Sequence, residues 1–572
     1  MTSIFTVLWP EILLVTVGSL LLLLGAVQSA FARKLAPVFA FAALVIVFGK
    51  LLVHAPAQMP SADQWNTVFV YTFQEYVKLI AAGTGILLVL LAWPTNADGT
   101  GNPAIQYGHE TAEFFGLMLL SLSGIMFVAS ANDLIILFLG IELASIPTYI
   151  MVSISRPLPV AQEAGVKYFF LGAMAAAIML FGFSYLYGTT GQTRLTDIAR
   201  VIHMNGPGHE WQILAVSMLL IGFGFKIAAV PLHAYAGDVY QGAATPVTAF
   251  LAFVPKTSGF IAILKVLYYV GTVGNSHWIL PDTIAKLLWI MAVLTMFVGN
   301  VLGLLQHNIK RLLAYSSVAH SGYMLAAITA LVSTTNPQVQ AAAVGGVLFY
   351  LAAYGIMNSG AFGVLMMLPG RDTPMAGHLE PNTPGTPPQT TPTGSSAETF
   401  DDIAGQGRKY PVLGLAMAIC CWSLTGLPLT VGFFGKFYLI KPIVLAATGD
   451  VKTRMVWLAA LLVINAAIAA AYYLRIVTAM FIRPEPAPLP SSSAGGPREP
   501  IATMARPWPV IAGIYLSVLG TLVYGINLPA TGRLSDRAMM AQIDQPARAH
   551  KKHEAPAAAQ AKVDFDQGSL DR

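Results

Sequence analysis

The chain contains fourteen apolar stretches long enough to cross a membrane, and these constrain its fold more than any other feature. A membrane-spanning helix needs roughly 20 predominantly apolar residues. The stretches run without alternation, so they predict helices and not the strands of a barrel. The fourth and fifth are separated only by Ala131-Asn132-Asp133. They cover residues 5–27, 35–54, 77–93, 112–131, 132–154, 165–188, 212–236, 245–271, 284–305, 311–332, 341–368, 410–440, 455–482 and 508–528.

The composition excludes the soluble classes of protein. Charged residues make up 10% of the chain and hydrophobic residues 56%, whereas an ordinary soluble domain is about 25% charged. A soluble enzyme, a nucleic-acid-binding module and a disordered scaffold are therefore all excluded. The two cysteines, Cys420 and Cys421, are adjacent, which argues against a disulfide framework, a structural zinc site or an iron–sulfur ligand set in this chain. The first apolar stretch follows no basic segment and predicts a span, not a cleaved signal peptide.

The basic residues between spans predict the orientation. Loops after the odd-numbered spans hold eleven Lys and Arg, whereas the opposite loops hold five. Because cytoplasmic loops are enriched in these residues, both termini are predicted outside the cytoplasm.

The spans divide into an N-terminal group and two units of five helices. Residues 1–111 hold spans 1–3, residues 112–272 hold spans 4–8, and residues 284–483 hold spans 9–13. The fourth span of each unit carries a lysine and an interrupting proline, and a repeated unit with an odd number of spans is inverted in the membrane. The sequence thus predicts an all-α polytopic membrane protein of about 14 transmembrane helices, with two inverted five-helix repeats containing broken helices.

Three further segments are polar or rich in proline. A Pro-rich insertion at 371–400 and a Pro-rich loop at 484–507 fall on the predicted cytoplasmic side. A last span at 508–528 precedes a polar tail at 529–572. We expect the insertion, the loop and the tail to be dispensable for chemistry in the membrane.

Ionisable residues lie inside the predicted spans, where each charge costs about 2.5–3.5 kcal/mol unless it is paired or hydrated. They should therefore face one another or water inside the bundle. Structural ion pairs or snorkelling side chains are the alternative, which we favour for Lys265 and Arg475 near span ends. The residues inside the spans are Glu142, Lys167, Lys226, His233, Lys256, His320 and Lys436.

Helix breakers lie beside three of these lysines. Pro231 follows Lys226, Pro255 precedes Lys256, and Gly426-Leu427-Pro428 precedes Lys436. Proline frees a backbone carbonyl, and broken helices at membrane depth mark ion sites in transporters. We therefore expect the helices to be interrupted at all three positions.

These residue types suit proton transfer. A desolvated lysine gives up its proton more readily, whereas a neighbouring carboxylate keeps it charged. A Glu142–Lys226 pair that forms and breaks would be a proton switch, with His233 and His320 as relays. The chain has no Walker A motif and no complete dinucleotide-binding motif, so it must use an existing gradient or a partner that supplies energy.

Two long motifs then carry a family resemblance. The run QHNIKRLLAYSSVAHSGY at 306–323, and DVYQGA at 238–243 with PVTAF at 246–250, resemble the antiporter-like membrane subunits of respiratory complex I, the NADH-quinone oxidoreductase. The stretch from Lys167 to Gly191 and the lysine at position 436 are most similar to subunit N. The resemblance covers residues 5–528 apart from the two Pro-rich segments.

The resemblance implies a proton path and a set of partners. Glu142 would be the gating acid, Lys226 its partner, Lys256 and His233 the central relay and Lys436 the exit-side lysine; Glu113 and Lys167 match further family positions. Energy would come from NADH oxidation by ubiquinone in other subunits, which would hold the FMN, the iron–sulfur clusters and the quinone, with no cofactor in this chain. The partners would be membrane-arm subunits, including the L and M paralogues and small membrane subunits, within the lipid bilayer.

Two alternatives remain at this point. One is a subunit of a multi-subunit cation/proton antiporter, which shares the ancestry. The other is a structural subunit of complex I that does not pump.

Overall fold

The computed structural model describes residues 7–27, 30–53, 71–94, 110–156, 159–205, 210–271, 280–370, 397–486 and 508–526. These residues form α-helices, with isolated β-bridges but no strand among them, so the all-α prediction is confirmed. The helices are α1 Trp9–Ala26, α2 Ala30–Val53, α3 Tyr71–Leu91, α4 Thr111–Ser130, α5 Leu134–Ile154, α6 Pro159–Thr190, α7 Leu195–Asn205, α8 Glu210–Lys226, α9 Tyr235–Gly242, α10 Thr245–Val270, α11 Asp282–Leu304, α12 Ile309–Val332, α13 Pro337–Met367, α14 Phe400–Ile403, α15 Gln406–Lys409, α16 Pro411–Thr425, α17 Val431–Leu445, α18 Lys452–Phe481 and α19 Trp508–Ile526.

Eleven helices in the described part of the chain are long and apolar enough to cross a membrane. Of the other three predicted spans, the tenth is α12, which carries many polar residues. The seventh and the twelfth are each broken into two shorter helices. The count of fourteen spans and the division into two inverted units stay predictions. The short α7, between the sixth and seventh spans, was not predicted.

Several helices begin at a polar capping residue or at a proline that precedes an apolar stretch. The Asp133 side chain accepts from the Ile135 amide at the start of α5, and Asn308 and Asn336 cap α12 and α13 in the same way. Pro411 occupies the first position of α16, where its missing N–H is not needed. The predicted boundary at Ala131-Asn132-Asp133 is therefore a real helix end followed by a cap.

The expected interruptions form at two of the three positions. After Lys226 the chain leaves the helix, with Ala228 at a φ of 54°, and after Thr425 it turns at Gly426, whose φ is 90°. The expectation at Pro255 was wrong, because α10 continues through this residue. Every residue of α10 is buried, so surrounding helices hold the proline in place. Within α10, Thr257 and Ser258 donate hydroxyl hydrogen bonds to the Phe253 and Pro255 carbonyls.

Close approach of the helices depends on small residues. A Cβ atom at Gly299 of α11 would lie 2.6 Å from the amide nitrogen of Ala319 in α12, and one at Gly322 of α12 would lie 2.5 Å from the Met296 side chain. The two backbones can therefore touch, as in other membrane helix pairs. This contact fixes the position of α12, which carries His320.

Candidate functional site

The end of α8 brings Lys226 to Glu142. The Lys226 ammonium lies 3.0 Å from a carboxylate oxygen of Glu142 and 3.1 Å from the Tyr149 hydroxyl. The Lys226 side chain is 1% exposed and that of Glu142 is 14% exposed. The Phe225 carbonyl accepts from the Ala228 amide and also from the Tyr235 hydroxyl, and the second bond ties the break to α9. The arrangement is a buried ion pair at the end of a half-helix.

A small cavity separates Lys226 from Lys256. It is about 10 Å³, the least that one water molecule requires, and Tyr168, Tyr235 and Ser317 line it with the two lysines. A single water molecule in this cavity would therefore be enough to bridge either lysine to the hydroxyl groups that line it.

Lys256 is held by backbone and hydroxyl oxygens. Its ammonium donates to the Ser317 carbonyl at 2.6 Å and to the Ser317 hydroxyl at 2.7 Å, and it lies 4.2 Å from the centre of the Tyr354 ring. Within the described residues no carboxylate pairs with it, although the residue is only 3% exposed. Hydrogen bonds and the aromatic face therefore stabilise this ammonium in place of a counter-ion.

His320 connects the two halves of the site. Its Nδ1 lies 2.5 Å from the Tyr350 hydroxyl and its Nε2 lies 2.9 Å from the Tyr473 hydroxyl. Tyr473 also hydrogen-bonds Ser316, which precedes the Ser317 that holds Lys256. A neutral imidazole has one donor and one acceptor nitrogen, so one tyrosine accepts from the ring while the other donates.

Lys436 lies against the broken twelfth span. Its ammonium donates to the Leu424 carbonyl at 2.9 Å and to the Thr425 carbonyl at 2.8 Å, the last carbonyls of α16. A cation is favoured at this end of a helix by the partial negative charge of the free carbonyls. The lysine also lies 5.2 Å from the centre of the Tyr323 ring, which itself contacts His320. Lys226 is therefore the last residue of one half-helix, whereas the Lys436 ammonium lies at the carboxyl end of another.

Three of the predicted site residues lie apart from the groups described above. Lys167 was expected among the buried groups, but its side chain is 44% exposed and pairs with Glu163 at 2.7 Å and Asp238 at 3.1 Å. His233 is half-buried in the segment after α8, and its Nδ1 has no hydrogen-bond partner in the described structure. Glu113 packs directly against Gly25 of α1. Their roles in a proton path stay predictions.

Sequence reasoning missed a buried ion pair in the N-terminal helices. Glu11 and Lys78 lie 2.7 Å apart with exposures of 0% and 3%, and Ser130 donates to Glu11. The available signal was an acid and a lysine inside the apolar stretches 5–27 and 77–93. Lys265, expected to form an ion pair or to snorkel, is fully buried and donates to the Val128 and Ala129 carbonyls at the end of α4.

Glu398, at the end of the predicted Pro-rich insertion, joins two cations, while the expectation that the insertion is dispensable for chemistry in the membrane stays a prediction. Glu398 lies inside 371–400 and pairs with Lys310 at 3.2 Å and Arg156 at 2.8 Å. Burial by itself raises the pKa of Glu398, but the two cations outweigh this effect and lower it to about 2.

A second charged group lies nearby on α9. Asp238 accepts from Arg311 at 2.7 Å and from Lys167 at 3.1 Å. Burial raises its pKa, and the hydrogen bonds from both cations more than offset this and hold the pKa below its usual value. Asp238 is therefore ionised at neutral pH and links α6, α9 and α12.

Comparison with known proteins gives consistent matches. The family described as NADH:quinone oxidoreductase/Mrp antiporter matches residues 131–468. NADH-quinone oxidoreductase subunit N of Trichlorobacter lovleyi is 37% identical over 72% of this chain and 74% of its own length, and subunit N 1 of Solibacter usitatus is 33% identical over 90% and 93%. A chain of respiratory complex I from Thermus thermophilus superposes with a TM-score of 0.64 at 28% identity, covering 91% of this chain and 99% of that chain.

Proposed function

The chain belongs to the NADH-quinone oxidoreductase subunit N family of antiporter-like membrane proteins, and from that premise we propose that it carries protons along its buried lysines. It is a multi-pass membrane protein that works with other membrane-arm subunits. One observation carries the proposal. Contacts and one small cavity bring Glu142–Lys226, Lys256, His320 and Lys436 into one line across two broken helices, with the Tyr323 ring between His320 and Lys436.

The ion pair is the element that can switch. While Glu142 is 3.0 Å away, it favours the charged form of Lys226. If the carboxylate moves or is neutralised, Lys226 keeps a site that is 1% exposed without its counter-ion, and the proton is released towards the cavity beside Lys256. Because Tyr149 also contacts Lys226, the ammonium retains one partner while the carboxylate is away.

The remaining groups pass the proton on. The Lys256 ammonium bonds the Ser317 hydroxyl, and the adjacent Ser316 bonds Tyr473, which in turn bonds His320. Each hydroxyl can donate and accept, and the step between the two adjacent serines is part of the proposal. Lys436 ends the line, held by two carbonyls and no carboxylate within the described residues. Its charge can therefore leave without an acid remaining behind in the membrane.

The energy for this movement comes from partners. In the assembly that the family implies, electrons pass from NADH to quinone in other subunits, which hold the FMN and the iron–sulfur clusters. This chain is then an oxidoreductase component that carries no redox site of its own. The excess of Lys and Arg in one set of loops supports an orientation with both termini on the periplasmic side of a bacterial inner membrane.

Two other functions remain testable. A cation/proton antiporter subunit would share this fold, but identities of 33% and 37% to subunit N relatives over most of the chain favour the complex I assignment. A structural subunit that does not pump would have no use for lysines buried on separate broken helices, because each such charge is costly.

The test compares two buried lysines with an exposed lysine on the helix of Lys436. Lys226→Met and Lys436→Met remove buried ammonium groups, whereas Lys441→Met removes an exposed one five residues from Lys436. We measure proton uptake and NADH–quinone turnover in inverted membrane vesicles, with native gels to check assembly. We expect an assembled complex with at least tenfold less pumping in both buried variants and unchanged pumping in the control. Normal pumping per NADH in both buried variants would establish the structural alternative.

A native gel separates the other alternative. If the chain migrates with NADH dehydrogenase activity in one large particle, it acts in complex I. A smaller particle without that activity would assign it to a free-standing antiporter.

A further inference from the structure

A cleft lies between the amino ends of α11 and α18, and none of the proton-path residues lines it. Its volume is about 770 Å³, and it opens where both helices begin. It extends down to Leu461, nine residues after the start of α18 and therefore about 13 Å along the helix. The cleft thus combines an opening at the membrane surface with a lower part beside the lipid chains.

The charges in the cleft are balanced but incompletely paired. Asp282 lies 2.8 Å from Lys286 and 2.7 Å from Arg454. The Nε group of Arg454 is buried without a hydrogen-bond partner, and exposed Asp450 has no ion pair among the described residues. One donor on a cation and one carboxylate therefore lack a partner in the described structure, beside a centre whose other charges are paired.

Two tryptophans border these charges. Trp289 donates its indole N–H to the Arg454 carbonyl at 3.2 Å, and Trp457 is 60% exposed. Tryptophan is enriched at the interface between lipid headgroups and acyl chains. Their presence puts the charged part of the cleft at headgroup level, with Leu461 below it.

We propose that this cleft binds the headgroup of an ethanolamine phospholipid. The phosphate lies against Arg454 and Lys286, the ammonium donates to Asp450, and one acyl chain passes Trp457 and Leu461. The balanced charge favours a zwitterionic headgroup, since an anionic glycerol headgroup would leave Asp450 facing a phosphate with no cation between them. A choline headgroup is disfavoured because its quaternary nitrogen has no N–H to donate. This inference does not depend on the proposed function.

The proposal is tested by lipid exchange on the purified assembly that contains the full chain. The assembly is incubated with vesicles of dioleoyl phosphatidylethanolamine, phosphatidylcholine or phosphatidylglycerol, and bound lipid is counted by mass spectrometry after removal of the vesicles. We expect one saturable site with about a fivefold preference for ethanolamine over choline, as one hydrogen bond of about 1 kcal/mol provides, since choline keeps the charge but has no N–H. Asp450→Asn should abolish this preference and increase glycerol lipid binding, while Lys286→Gln should weaken all three lipids.

The control is Lys441→Gln, an exposed lysine on α17 that does not line the cleft, which should bind lipid as the unmodified protein does. Asp450 and Lys286 are exposed, so their variants should assemble normally. The same ethanolamine preference in Asp450→Asn as in the unmodified protein would overturn the proposal. So would a preference for the glycerol lipid in the unmodified protein, or the absence of a saturable site, which would mean that a neighbouring subunit fills the cleft.

Discussion

Replacing Glu398 with glutamine should destabilise the chain, although the residue lies at the end of a low-complexity insertion. The substitution keeps the size of the side chain and removes only its charge. It leaves Lys310, which is 0% exposed, and Arg156, which is 13% exposed, without their shared carboxylate. The backbone at this point is fixed independently, because the Glu398 carbonyl accepts from the Ile309 amide and Thr399 caps α14.

The magnitude follows from the pKa of the carboxylate. The two cations lower it from the usual 4.5 to about 2, and at 1.36 kcal/mol per unit this corresponds to about 3 kcal/mol. Breaking a buried ion pair from one side costs about 3–5 kcal/mol in other proteins, which agrees. Burial lowers the pKa of Lys310 to about 7, so in the variant this lysine can lose its charge, and we expect Glu398→Gln to lower the free energy of unfolding by at most about 3 kcal/mol at pH 7.

The pH dependence has a definite sign. Because the folded pKa is lower than the unfolded one, the contribution is complete above about pH 4.5 and is lost as the pH falls towards 2. The difference between the two proteins should therefore shrink to about 1 kcal/mol at pH 3.

The assay is unfolding of the full chain by SDS in mixed micelles, with Lys310→Met and the double variant to complete a cycle. The matched control replaces residues 372–395 by a short Gly/Ser linker. The Ala397 amide donates to the Leu368 carbonyl at 2.9 Å, so the insertion begins and ends at neighbouring positions and should be removable at little cost. A coupling energy below about 0.5 kcal/mol between Glu398 and Lys310 would refute the reasoning. A linker variant as unstable as Glu398→Gln would refute it as well.

Three further predictions concern other parts of the chain. Glu11→Gln leaves the buried Lys78 unpaired and should lower the free energy of unfolding by about 3–5 kcal/mol, whereas the double variant Glu11→Leu, Lys78→Met should be near neutral. Unfolding in mixed micelles measures both variants. An equal loss of stability in the two would contradict the importance of the ion pair. Gly426→Ala forces a side chain into the left-handed region at a φ of 90° and should cost about 1–2 kcal/mol while slowing pumping; an unaltered protein would argue against a rigid break. Tyr473→Phe removes one hydrogen bond from His320 without changing packing, so the complex should assemble normally but pump several-fold more slowly in vesicles; normal pumping would take this hydroxyl out of the path.

The sequence predicted those parts of the site that depend on neighbouring residues, or on the need of a buried charge for a partner. A charge at the centre of an apolar stretch must find a partner, and Glu142 and Lys226 do lie 3.0 Å apart. The breaks after Lys226 and before Lys436 follow from adjacent proline and glycine. The same rule failed at Pro255, because complete burial of α10 outweighs the lost hydrogen bond.

Other contacts depend on distant parts of the chain and could not be predicted. Glu398 meets Lys310 across 88 residues, and its position in a Pro-rich segment concealed it. Glu11 and Lys78 lie near the ends of their apolar stretches, where a snorkelling side chain is an equally good explanation. The exposed position of Lys167 depends on Asp238, which sits on a short helix that exists only because the seventh span is broken.

The way Lys436 is held has a consequence for genetics. Its partners are the carbonyl oxygens of Leu424 and Thr425, which every amino acid carries. Apart from the Tyr323 ring, a scan that changes one side chain at a time should find no position that interacts with Lys436, and no second-site suppressor should restore a charge pair. Substitutions at Gly426, whose φ of 90° sets the shape of the main chain, should instead have the largest effect on this contact. What must be kept for Lys436 to be held is therefore the backbone geometry and not the identity of a partner side chain.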